Sequence, residues 1–222
     1  MSYQTLRLKR GKEESLDRFH PWVFSGALAE PLPDGLEEGD TVTVETSNGR
    51  LVGVGHFQIG SIAVRILDFA ATEINAEFFR SRLLQALRLR QALQLARPDN
   101  NAYRLVHGEG DFLPGLVVDI YGPTAVLQAH SPGMHFARQT IAEQLVALPE
   151  LGVRNVYYKS ETTLPYKAHL DARNDYLIGS METSVATENS LQFNIDWLRG
   201  QKTGFFLDQR DNRALLQHYS QG

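Results

Sequence analysis

The sequence predicts an α+β protein with a small β unit, a mixed α/β unit and a short third segment. Three observations support this class. Apolar and polar side chains alternate between turn signals up to about residue 70, two stretches of helical periodicity follow, and alternation returns at residue 191. The expected boundaries are residues 1–70, 74–190 and 191–222.

In the first unit, the clearest element is a hairpin at residues 41–57. Val42 and Val44 alternate with threonines, and Asn48-Gly49 supplies the turn. A strand that buries Leu6 and Leu8 precedes the hairpin, and another follows at residues 62–69. Up to about residue 70, these short strands predict a small, mostly β unit.

The second unit begins with a long helix. Asn75 is a good N-cap, and apolar residues recur at helical spacing through residues 77–96. The other helix face carries arginines that form either a solvated surface or a second ligand contact: Arg80, Arg82, Arg88 and Arg90. Strands and tight turns follow at residues 103–130, then a helix at 135–148 and a strand at 153–159.

The composition excludes several classes of function. The 222 residues include no cysteine, so disulfides, thiolate zinc sites and a cysteine nucleophile are excluded for this chain. A net charge of −4 argues against a uniformly basic nucleic-acid-binding surface, although it allows a local basic patch. With no signal peptide and no run of about 20 apolar residues, we expect a cytoplasmic protein without a membrane or metal partner. The oligomeric state is left open.

Two glycine-containing motifs are better explained by turns than by ligand sites. HGEGD at residues 107–111 lacks the His-Glu-x-x-His spacing of a metal site, which favours a tight turn over acid–base or metal chemistry. GQKTG at residues 200–204 is not a phosphate loop, because Gln201 precedes Lys-Thr and no helix follows directly.

The HPWVFSG segment at residues 20–26 contains two aromatic side chains, Trp22 and Phe24, which we expect to belong to the core of the β unit. His20, with Arg18 and the Lys9-Arg10 pair nearby in sequence, would form an edge that binds RNA phosphates and stacks bases. We give this edge the same weight as a purely structural role for the four residues.

Near the C-terminal end, RGQKTGFFLDQRDNR places charged side chains around Phe205 and Phe206. It is either a strand-to-helix junction, with Asp208 capping a helix through Tyr219, or one wall of a ligand site. Residues 191–222 are too few to bury a core alone. They therefore either cover the second unit or begin a further one.

Three motifs follow one another along the chain. They are HPWVFSGAL at residues 20–28, HGEGDFLPGLVVDIYG at 107–122 and GQKTGFFLDQRDNR at 200–213. In this order and spacing they closely resemble the bacterial 23S rRNA (cytosine-C5) methyltransferase family. The resemblance spans nearly the whole chain, and the third motif is quite specific.

The resemblance implies an RNA-binding PUA domain that forms a β barrel, a central mixed α/β domain, and the first strands and helix of a truncated Rossmann-like methyltransferase domain. It implies ribosomal RNA as partner and S-adenosylmethionine (SAM) as cofactor of the full-length relative. The third motif would then form a wall of the cofactor and substrate cleft, and our choices for the residues that face the cleft are Thr203, Phe206, Asp208 and Arg210.

Two features of the sequence depart from the resemblance. No G-x-G-x-x-G fingerprint occurs in it, and the cysteine with which the family attacks the base is absent. We therefore expect no catalytic residue in this chain, no tight SAM binding and no activity alone. The alternative is a stand-alone RNA-binding or ribosome-assembly module without a catalytic domain.

Overall fold

The computed structural model describes residues 3–165 and 170–220. It contains two five-stranded sheets and one two-stranded sheet, with helices on one face of the second sheet. The mixed α+β class is confirmed. None of the helices in these two ranges has the length and apolar character that crossing a lipid bilayer requires.

The first sheet has the strand order β1-β3-β4-β5-β2, in which β1 is parallel to β3 and the other pairs are antiparallel. A one-turn helix, α1 (Glu14–Asp17), lies between β1 and β2. The strands are β1 (Gln4–Arg7), β2 (Trp22–Phe24), β3 (Thr41–Glu45), β4 (Leu51–Phe57) and β5 (Ile62–Asp68).

The predicted hairpin is confirmed as β3 and β4, with Val42 and Val44 fully buried. Within the turn, Gly49 alone of the Asn-Gly pair has a positive φ, of 82°. Leu6 and Leu8 are buried as predicted, and a bridge between Leu8 and Leu28 brings the chain after β2 against the first strand. The sheet therefore curls around its own apolar core.

The second sheet has the order β10-β9-β8-β7-β6, with β8 and β9 parallel. Helices α2 (Ala76–Ala92) and α4 (Arg138–Ala147) pack on one face, and α3 (Pro132–Phe136) precedes α4. The strands are β6 (Ala102–His107), β7 (Leu116–Tyr121), β8 (Thr124–Ala129), β9 (Asn155–Tyr158) and β10 (Asp175–Ile178).

Helix α2 begins as predicted, because the Asn75 side chain accepts a hydrogen bond from the Phe78 N–H. The prediction that Arg90 lies on the solvated face is wrong. Its side chain is buried and pairs with Asp111, with Nη2 2.8 Å from Oδ2. A buried arginine needs such a partner, because an unpaired charge in the interior is costly.

The third segment covers the other face of the second sheet. It contains β11 (Val185–Glu188), β12 (Leu191–Asn194) and α5 (Arg210–Tyr219). Ile195 and Trp197 are buried against residues of the sheet, and the Trp197 ring stacks on Tyr121 with ring centroids 6.3 Å apart. The sequence left open whether this segment covers the second unit or begins a further one, and in the structure it covers the second unit.

The first two sheets meet through close side-chain contacts. The His56 ring packs directly on Gly133 of α3, where any side chain would collide with it. Burial lowers the pKa of His56 to about 4, so the ring is neutral at pH 7. The Arg65 and Ser131 side chains both lie beside Gly115. These contacts fix the surface that the two sheets share.

Candidate functional site

The four predicted RNA-binding residues all lie at the surface of the first sheet. Lys9, Arg10, Arg18 and His20 are exposed. Lys9 Nζ donates to the carbonyl of Gly26 at 3.2 Å, and Arg18 lies 3.4 Å from Glu14 in an exposed ion pair. Exposed pairs of this kind are weak, so these cations can exchange their partners for phosphates.

The prediction that Trp22 and Phe24 belong to the core is wrong. In the three-residue strand β2, Val23 points inward and is 1% exposed, so its two neighbours point outward. Phe24 is 48% exposed and Trp22 is half-buried. The His20 ring lies 5.4 Å from the Trp22 ring and 6.4 Å from that of Phe24. The two aromatic side chains therefore lie beside His20, and together with Lys9, Arg10 and Arg18 we name these residues the cationic and aromatic edge.

A cavity of about 340 Å³ opens beside this edge. Ligand pockets usually begin at about this size. The residues that line the cavity include Lys12, Ser15, Leu16, Trp22, Phe24 and Gly26. Lys12 contributes a positive charge to the wall, and Ser15 contributes a hydroxyl.

The HGEGD motif forms a 3₁₀ turn at Gly108–Asp111, which confirms the turn interpretation. The Asp111 carboxylate accepts a hydrogen bond of 2.6 Å from the His107 N–H, in addition to the bonds that it accepts from Arg90. Glu109 accepts a hydrogen bond of 2.9 Å from Trp22 Nε1. The motif therefore links the second sheet to the aromatic edge of the first.

The QKTG turn is attached to the second sheet by a buried hydrogen-bond network. Thr203 Oγ1 donates to Asp119 Oδ2 at 2.5 Å and lies 2.8 Å from Tyr121 Oη. Asp119, fully buried, also holds Arg104 through bonds of 2.8 and 2.9 Å. Burial and the Asp119 charge raise the pKa of Tyr121. Because Thr203 is 0% exposed, the expectation that its side chain faces a cleft does not hold in this structure.

The other three predicted cleft-wall residues lie nearer the surface. Phe206 is 43% exposed, and Lys202 Nζ lies 5.0 Å from its ring centroid. Asp208 is exposed, and a hydrogen bond from Gln209 lowers its pKa, with smaller contributions from Lys202 and Arg104. Arg210 is half-buried.

The structure does not support Asp208 as a helix cap. Helix α5 begins at Arg210, its N-cap position is Gln209, and no side chain caps it. Asp208 belongs to the preceding 3₁₀ turn instead. Its carboxylate is therefore not committed to a helix end.

Two polar residues near this surface, Arg104 and His130, were not identified from the sequence, and His107 was considered only as part of the HGEGD motif. Arg104 Nη1 lies 3.3 Å from His107 Nδ1. Burial of the His130 ring lowers the pKa of His130, and the charge of Arg104 lowers it further. Arg104 and His130 each stand alone in the sequence, and only the pairing of β6, β7 and β8 brings them together. Among the residues described, no group of three or more acidic, histidine or cysteine side chains could hold a metal ion.

Comparison with known proteins finds a match for the first sheet. The model of the PUA-like domain family matches residues 6–69. Residues 6–69 thus resemble a PUA-like domain, and we use that term for them. Strands β1 to β5 and the cationic and aromatic edge all fall in or beside this PUA-like domain.

The whole chain is similar to curated proteins named ribosomal RNA large subunit methyltransferase I. It is 37% identical to the one from Shewanella denitrificans over 221 residues and 36% identical to one from Yersinia pseudotuberculosis over 222 residues. Each match covers 98% of this chain and 55% of the relative. The chain thus spans about half the length of the curated relatives it matches.

Solved structures share the fold over the same extent. A candidate SAM-dependent methyltransferase from Streptococcus mutans has a TM-score of 0.76 at 19% identity, covering 98% of this chain and 55% of that one. A second candidate methyltransferase, complexed with SAH, has a TM-score of 0.73 at 18% identity, with coverages of 97% and 53%. Both comparisons show that the PUA-like domain and the second sheet occur together in a larger fold.

The Thr203 network predicts a stability effect. Thr203→Val keeps the side-chain shape but removes the hydroxyl, which leaves Asp119 and Tyr121 each short of a buried partner. We expect a loss of about 1–3 kcal/mol in the free energy of unfolding. Urea denaturation followed by Trp197 fluorescence, in a Trp22→Phe background, measures it. Thr203→Ser is the control because it keeps the hydroxyl, and a valine variant as stable as the parent would contradict the network's role.

Proposed function

We propose that this chain is the RNA-recognition part of a SAM-dependent methyltransferase that modifies the C5 atom of a cytosine in ribosomal RNA. The observation that carries the proposal is the similarity to ribosomal RNA large subunit methyltransferases along 98% of the chain. The exposed cationic edge on the PUA-like domain supplies a physical basis for binding RNA.

The edge has the chemistry that single-stranded RNA requires. Lys9, Arg10 and Arg18 provide exposed positive charges for phosphates. His20, Trp22 and Phe24 provide aromatic faces within 6.4 Å of one another, on which unpaired bases can stack. Charge and stacking surface on one edge favour RNA over a small anionic ligand.

We further propose that the third segment forms one wall of the catalytic cleft. Phe206, Asp208 and Arg210 contribute side chains near the surface. Thr203 contributes indirectly, because its buried bonds to Asp119 and Tyr121 hold the turn from which these residues project. Asp208 is also close enough to Arg104 for that charge to lower its pKa.

We infer that the residues present do not make a SAM site by themselves. Two cavities in the described part of the chain, of about 340 and 500 Å³, are lined by residues between 5 and 34 and by none from 199–213. The 222 residues also contain no G-x-G-x-x-G fingerprint and no cysteine. We propose that the cofactor-binding core and the nucleophile lie outside these 222 residues, so we derive no methyl-transfer step here.

If this chain recognises RNA and the cofactor-binding core lies elsewhere, the chain alone should neither bind SAM nor methylate RNA. A single wall provides neither the enclosure nor the converging contacts that a small ligand requires. Titration calorimetry with SAM and a tritiated-methyl transfer assay on ribosomal RNA measure the two properties. Saturable binding at micromolar SAM, or methyl incorporation above a protein-free control, would show that the core is present within these residues.

A further inference from the structure

Phe112, at the end of the HGEGD turn, combines an exposed ring with an unusual backbone conformation. Its ring is 45% exposed, and its backbone lies in the left-handed region at φ 55° and ψ 30°. A bulky aromatic residue rarely adopts this conformation because of its steric cost. Such strain concentrates at binding sites, where the surrounding structure maintains it.

Buried contacts hold this residue in place. Asp111, directly before it, is fixed by the Arg90 pair and by the His107 N–H. Leu113, directly after it, is fully buried in the core of the second sheet. The ring therefore projects from a backbone that is fixed on both sides, and little conformational entropy remains to be lost when a ligand binds.

A cation supports the ring. The Arg82 guanidinium lies 5.5 Å from the Phe112 ring centroid and 5.2 Å from that of Phe78. A hydrogen bond of 3.2 Å from Arg82 to Asp68 fixes its position. An arginine held against an aromatic ring forms a flat, electron-poor platform, which suits stacking of a nucleobase.

The platform is connected to the exposed aromatic side chains of the PUA-like domain. Glu109 in the same turn accepts the Trp22 Nε1 hydrogen bond. On the Arg82 side, Asp68 is followed by Phe69, whose ring lies 5.2 Å from that of Phe19. Phe19 is 67% exposed and, like Phe112, has a positive φ, of 61°. Phe112 is thus connected to Trp22 through the turn that carries Glu109, and to Phe19 through Arg82 and the Asp68-Phe69 pair.

We propose that Phe112, supported by Arg82, stacks an unpaired nucleobase of a single-stranded RNA whose phosphates are held by the Lys9–His20 edge. This assigns an RNA contact to the second unit, and it rests on the proposed function. RNA fits this surface better than an apolar peptide does, because Arg65, Arg104 and His107 lie around the same turn. Phosphates beside the stacked base would meet these basic side chains.

The test is the affinity of the full chain for a fluorescently labelled single-stranded RNA of about 12 nucleotides, the length that such surfaces bind. Phe112→Ala is expected to weaken binding by about tenfold, in line with the loss of one stacked base. Phe112→Gly removes the same ring and suits the positive φ, so the folded state is retained. Neither variant is expected to change the salt dependence, because no phosphate contact is lost.

Two controls and two contrary outcomes complete the test. Phe112→Tyr keeps the ring and should bind as the parent chain does. Phe136→Ala removes a matched phenylalanine, 55% exposed, that packs on Gly39, and it should not change the affinity. If Lys9→Ala/Arg10→Ala weakens binding but the alanine and glycine variants at Phe112 do not, this inference is wrong and the proposed function stands. If the parent chain binds no RNA, the proposed function fails and this inference fails with it.

Discussion

Replacing Asp111 with alanine is expected to destabilise the protein by about 3–5 kcal/mol, because it leaves the buried Arg90 guanidinium without its counter-charge. Both side chains are nearly inaccessible to solvent, with exposures of 10% for Arg90 and 4% for Asp111. Asp111 also accepts the His107 N–H, so the same change loosens the turn that carries Glu109 and Phe112. Urea denaturation followed by circular dichroism measures the loss.

The matched control removes both charges. Arg90→Met/Asp111→Leu replaces the pair with apolar side chains of similar size, and we expect it to recover most of the lost stability. If the Asp111→Ala variant unfolds at the same urea concentration as the parent, the pair does not hold α2 against the turn. The description of Phe112 as a preorganised platform would then lose its structural basis.

Replacing Lys9 and Arg10 with alanine is expected to weaken RNA binding by about 25-fold at 0.1 M salt, with a change of about 1.4 in the slope of log K against log salt. Each lost phosphate contact in a single strand accounts for about 0.7 of that slope. Filter binding at several salt concentrations measures both quantities. The side chains are exposed, so the fold should not change.

A second pair of exposed cations provides the control. Arg154 and Arg173 lie in the second unit, each in an exposed ion pair. Arg154→Ala/Arg173→Ala lowers the net charge by the same amount, and we expect a much smaller effect on affinity. Equal effects from the two double variants would mean that overall charge controls binding and that the edge is wrongly placed.

Local signals in the sequence were sufficient for the elements that depend on local chemistry. The β3–β4 hairpin follows from alternating valines and a glycine at the one turn position that requires a positive φ. Helix α2 begins where Asn75 can cap it. In both cases the determining residues lie within a few positions of one another.

Side-chain direction in the short strand β2 could not be predicted. A three-residue strand has too few alternations to show which face is buried, and two large aromatic side chains flanking a valine suggest the wrong face. The pairing of Val23 with Val64 in β5 determines that the valine points inward. The aromatic edge of the PUA-like domain depends on this long-range register.

The polar contacts of the candidate site were also beyond sequence reasoning. Thr203 and Asp119 are 84 positions apart, and Trp22 and Glu109 are 87 apart. Thr203 was identified from its motif, but a motif does not show whether a hydroxyl faces a cleft or supports the turn beneath it. Only the packing of the third segment on the second sheet determines that.

The most direct test of the account is the affinity of this chain for fragments that tile the 23S rRNA, measured in competition with transfer RNA at about 0.15 M salt. A recognition module for one ribosomal site should bind one fragment, or a few overlapping ones, about tenfold or more tightly than it binds the competitor. Equal affinity for all fragments and for the competitor, or no saturable binding to any of them, would contradict the proposal that this chain recognises ribosomal RNA.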